Sequence, residues 1–186
     1  MNSLPSAVDD ASTVLLTSPT IGPGNRHCSA LLNDDLGPDG ILFVSYTRGP
    51  EACAAQVRNA VDGEPAVTVL TVGSAVATEP DGVTVRSLAS ASDMTGLGIA
   101  MSDAIANWSP PIAVCFDSVT SMLQYIDLRT AYQFLHTTTG RLTAAGAKSH
   151  FHLDPAAHDD QTIAAITSLF DARIRIDNGQ PEIRTR

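Results

Sequence analysis

Short apolar runs alternate with helix-patterned segments almost without a break along this chain, and that alternation leaves few folds open. Residues 13–17, 41–46, 66–72, 83–88, 112–116 and 148–153 read as strands, rich in Val, Ile, Leu and Phe and too short for helices. Between them, residues 27–36, 50–61, 93–108, 129–145 and 160–170 read as helices. Pro50 and Glu51 suit a first helical turn, and Ser92-Asp93 supplies a cap, although Gly96 and Gly98 weaken the helix it opens. Ala131, Phe134, Leu135, Leu142 and Ala145 fall on one helical face. Residues 172–186 alternate with period two around Asn178-Gly179, a hairpin signal. The expected fold is α/β: a mostly parallel sheet, helices on both faces, and a C-terminal antiparallel β-hairpin. No repeat or linker divides the 186 residues, so one domain is expected, with residues 1–11 as a flexible N-terminus.

Charge narrows the partners. Twenty acidic residues face 11 basic ones, for a net charge of −9, and Lys148 is the sole lysine. Such a surface repels phosphate backbones and disfavours broad nucleic-acid binding. An Asp-rich, Lys-poor composition suits a high-salt cytoplasm, where dense carboxylates are screened. No apolar run is long enough to cross a bilayer, and the first residues carry no basic, apolar leader, so a cytoplasmic protein without membrane contact is expected. Cys28, Cys53 and Cys115 are scattered, with no CxxC pair, which fits a reducing compartment and argues against a disulfide framework or a structural zinc knot.

Two groups of residues carry chemistry. The strand at 112–116 ends in Asp117 and Ser118. In an open α/β sheet ligands bind beyond the carboxyl ends of strands, where a carboxylate holds magnesium or water beside a phosphate. Asp117 equally suits a cap for the segment that follows. His150, His152 and Asp154 alternate along a strand and so share a face, with His158 and Asp159 close behind. Two imidazoles and a carboxylate suit zinc or another transition metal. Ser118, His150 and Asp154 also have the residue types of a hydrolase triad, but no G-x-S-x-G elbow surrounds any serine. Cys28 stands near a helix start, where a thiol pKa can fall. Arg173, Arg175, Arg184 and Arg186 form the chain's one basic cluster, suited either to an acidic neighbour or to a solvated face.

These elements resemble the RecA-like ATPase core and, within it, the KaiC-like proteins of archaea. The resemblance rests on strand order, on the stretch from Ile41 to Glu51, on Phe116-Asp-Ser-Val-Thr-Ser-Met-Leu-Gln-Tyr125, and on His150-Phe-His-Leu-Asp-Pro155. The resemblance of these stretches is to haloarchaeal relatives of KaiC. It implies that Asp117 is the Walker B aspartate and that Gly22, Gly24, Arg26 and Ser29 line a phosphate loop, with Ser118 beside it. The loop departs from G-x-x-x-x-G-K-[ST]: His27 stands at the second glycine and Cys28 at the lysine. No glutamate follows the strand at 41–46 directly. The implied role is therefore a non-hydrolysing regulatory or scaffold protein in signalling. It would act through protein partners or its own copies, need no cofactor, and bind ATP and magnesium weakly if at all. The alternatives are an ATPase using Arg26 and a metal protein built on His150, His152 and Asp154.

Overall fold

The computed structural model describes residues 8–19, 24–32, 37–74 and 78–186, with the backbone alone at 24–26. The expected α/β sheet forms as a single sheet of eight strands. Its strands are β1 (Thr13–Thr17), β2 (Gly40–Ser45), β3 (Ala66–Val72), β4 (Val83–Leu88), β5 (Ile112–Asp117), β6 (Ala147–Leu153), β7 (Ala172–Asp177) and β8 (Gln180–Thr185). They stand in the order β4-β3-β2-β5-β6-β1-β7-β8. All pairs are parallel except β7 with β8, which is antiparallel as the Asn178-Gly179 turn requires. Asn178 and Gly179 both adopt positive φ there, 49° and 79°. The chain moves outward from β2 to β4, then returns to insert β5 and β6 between β2 and β1.

The helices are α1 (Gly24–Leu32), α2 (Pro50–Ala60), α3 (Met94–Ile105), α4 (Val119–Met122), α5 (Leu128–Ala144) and α6 (Asp160–Thr167). Asp93, Asp127 and Asp159 cap α3, α5 and α6, each accepting a backbone N–H from the first turn. The central strands β1, β2 and β5 are buried on both faces, which explains why they read as unbroken apolar runs instead of alternating ones. Their side chains divide the core in two. One layer holds Leu15, Leu42, Val114, Phe116 and Phe151 with α3, α5 and α6. The other holds Leu16, Phe43 and Cys115 with Cys28 and Leu32 of α1 and Cys53 and Val57 of α2. Val8 and Ala11, within the stretch expected to be flexible, are buried in this second layer. Asp171 fastens the start of β1, accepting from the Thr13 amide and hydroxyl at 3.0 Å each. Among the described residues no helix is long and apolar enough to cross a membrane.

Candidate metal centre

The parallel register of β5 and β6 sets Cys115 beside His150. Period two then places His152 on the same face, toward the layer that α1 covers. Cys28 comes down onto that face from α1. The four donor atoms, two Sγ and two ring nitrogens, all lie within 4.8 Å of one another. Cys28 Sγ is 3.0 Å from His150 Nε2 and 3.5 Å from Cys115 Sγ, and Cys115 Sγ is 3.5 Å from His152 Nε2. Cys28, Cys115 and His150 are buried; His152 is half-buried as a residue, with its ring turned into the same interior.

Two thiols and two imidazoles are the donor set of a closed, tetrahedral zinc-type site. Bond lengths of about 2.3 Å to sulfur and 2.0–2.1 Å to nitrogen place tetrahedral donors roughly 3.4–3.8 Å apart. The observed 3.0–3.5 Å separations, with every pair inside 4.8 Å, lie close to that spacing, and the two pairs made by Cys28 need a small opening. The electrostatics agree. Burial works against ionisation of Cys28, but the Cys115 hydrogen bond and the charges of His150 and His152 bring its thiol well below the ordinary range. Cys115 goes the other way, pushed up by burial and by the neighbouring Cys28. The Cys28 charge raises His152 against its burial. A metal ion bound by such thiols and imidazoles takes the place of their protons.

A polar chain supports the cluster from α2. Gln56 Nε2 donates to Cys28 Sγ at 3.0 Å, and Arg48 Nη1 donates to Gln56 Oε1. Arg48 also reaches Asp117 Oδ2 through Nε at 3.0 Å and Nη2 at 2.9 Å, while lying over the Phe43 ring. Residues around a metal site commonly orient its ligands in this way.

The other expected residues are placed as follows. Asp154 is not in the cluster; it caps a one-turn 3₁₀ segment, Pro155–Ala157, accepting from the Ala156 amide. Asp117 sits at the end of β5, but Arg48 takes its charge, and the capping role falls to Ser118, which opens α4 and accepts from the Ser121 amide. Gly24 begins α1, and Ser29 lies half-buried on it. Gly22 and the Arg26 side chain fall outside the described residues. Sequence reasoning found His150 and His152 and missed Cys28 and Cys115 as their partners, because the two cysteines are far from them in the chain and joined only by the sheet. The cysteines also lie far from each other, so no CxxC-like local spacing marks the four donors.

No curated protein matches the chain. A protein from Pyrococcus horikoshii OT3, solved as a structural study of Project ID PH0250, superposes with a TM-score of 0.64 at 11% identity, covering 94% of this chain and 86% of that one. At that identity the likeness is one of fold alone. The expected membership in the RecA- and KaiC-like P-loop ATPases is corrected by the family comparison, which assigns the chain elsewhere. The geometry gives a physical reason: Cys28, at the expected lysine position, turns into the core toward Cys115 and His150, and Asp117 is neutralised by Arg48. The family model that does match is DUF7504, a family of unknown function; it spans residues 11–176, and the chain belongs to that family.

Proposed function

We propose that this protein binds one transition-metal ion of the zinc class through Cys28, Cys115, His150 and His152. The observation that carries the reading is the convergence of four donor atoms, from α1, β5 and β6, to within 4.8 Å in a buried layer. Four protein ligands leave no open position, which fits a structural centre better than a catalytic one. The ion would tie α1 to the middle of the sheet, so metal supply would govern how firmly that helix is held. A pair of reduced thiols in this role suits a reducing compartment, in keeping with a cytoplasmic protein.

The test is metal content of protein produced without a histidine tag, followed by cobalt(II) substitution. One ion per chain and the intense absorption of tetrahedral, thiolate-bound cobalt are expected. Cys28→Ser and Cys115→Ser should each lose both, while Asp154→Ala keeps them. Folded protein that stays substoichiometric after loading would sink the proposal.

A further inference from the structure

Four of the chain's ten arginines, Arg173, Arg175, Arg184 and Arg186, lie on the terminal hairpin. The pairing of β7 with β8 sets Arg173 opposite Arg184, and period two puts Arg175 on the same face. That face looks toward α6, on the side of the sheet away from the cysteines. Between α6 and the hairpin runs an open cleft of about 700 Å³, lined among others by Asp160, Thr167, Ser168, Arg173, Arg175 and Arg186. This volume is in the range of small-molecule sites.

The cations in it are only partly compensated. Arg175 pairs with Asp177 at 3.0 Å and Arg184 with Glu182 at 2.9 Å, both pairs well exposed and therefore weak. Arg173 is half-buried, and its Nε donates to the Thr17 hydroxyl at 3.3 Å, which supplies no charge. Burial and then the charges of Arg175 and Arg184 lower its affinity for a proton, the mark of like charges crowded together. Of the charged side chains that line the cleft, three are arginines and one, Asp160, is acidic, in a protein whose net charge is −9. A locally positive cleft on so acidic a molecule attracts anions, and guanidinium forks match phosphate oxygens two at a time. The repelling surface elsewhere argues for a small ligand over a nucleic acid.

We propose that the cleft between α6 and the terminal hairpin binds a phosphate-bearing small molecule, with Arg173, Arg175 and Arg186 as its anion contacts. The proposal is independent of the metal centre. Inorganic pyrophosphate is the probe, titrated at the lowest salt that keeps the fold, with amide resonances followed by NMR. Saturable shifts confined to α6, β7 and β8 are expected. The exposed pair Arg175→Gln with Arg186→Gln should raise the dissociation constant tenfold or more, and Arg173→Ala should do the same. Arg86→Gln, on β4 at the opposite edge of the sheet, should change nothing. Absent or scattered shifts, or undiminished binding in the arginine variants, would overturn the proposal. So would arginine variants that dissolve a self-associated species in ultracentrifugation, since the cleft would then hold carboxylates of a second copy.

Discussion

Gln56 joins Arg48 to Cys28: its amide nitrogen donates to the sulfur at 3.0 Å while its oxygen accepts from the guanidinium. One side chain on α2 therefore links the end of β5, where Arg48 holds Asp117, to the buried cysteine of α1.

Gln56→Leu keeps the shape of that side chain and removes both hydrogen bonds. Metal affinity should fall by about 10–100-fold with the fold retained, as removal of such supporting partners commonly does. Competition with a colourimetric chelator reads the change, and unaltered affinity would separate Gln56 from the centre.

Asp117→Asn removes the charge that partners a largely buried Arg48. With the Asp117 side chain about one-fifth exposed, the loss is expected near 1–3 kcal/mol in urea unfolding. Raising the salt should narrow the gap between variant and parent only slightly, because a partly buried pair is weakly screened.

The Thr120 hydroxyl accepts the Asp154 amide at 2.9 Å and shares a second hydrogen bond, also of 2.9 Å, with His158 Nε2. Burial lowers the His158 pKa against the pull of Asp154 and Asp159. The unfolded chain then binds more protons than the folded one between the two pKa values, so stability rises with pH through that window. Acidification from the ordinary histidine value downward should therefore lower stability, and only modestly, because the half-buried ring keeps part of its hydration. Unfolding curves across that range should show the step in the parent and not in His158→Gln.

Gly40 begins β2 beneath the indole of Trp108, and a Cβ there would collide with the ring. Gly40→Ala should displace that ring and cost about 1–3 kcal/mol, as overpacking does. Trp108 is the only tryptophan, so its fluorescence reports the displacement directly.

Much of the fold is legible in the residues because it is written in short-range patterns. The apolar runs of β2 and β5, the aspartate before α3 and the Asn178-Gly179 turn each act within a few positions. Boundaries drift where caps are ambiguous: α3 ends at Ile105, short of the expected 108, and α1 begins at Gly24. The short α4 has only four residues and escapes any periodicity. The candidate centre is half legible for the same reason. His150 and His152 share a face by period two alone, whereas Cys115 meets them through strand register and Cys28 through the docking of a helix. Those are facts of tertiary structure with separations of 87 and 122 residues between Cys28 and its partners. Asp154 looks equivalent to the histidines in sequence, yet the strand ends before it and its carboxylate turns to the next backbone amide.

The insertion of β5 and β6 between β2 and β1 has a consequence for biosynthesis. The helix that supplies Cys28 is made early, but the two strands that complete its company are added late and must enter the middle of the sheet. A chain halted before β6 offers an ion only the two cysteines, too few to hold it firmly. Occupancy of the centre would therefore certify that synthesis has passed β6, and a protein released before that strand would declare itself by carrying no metal.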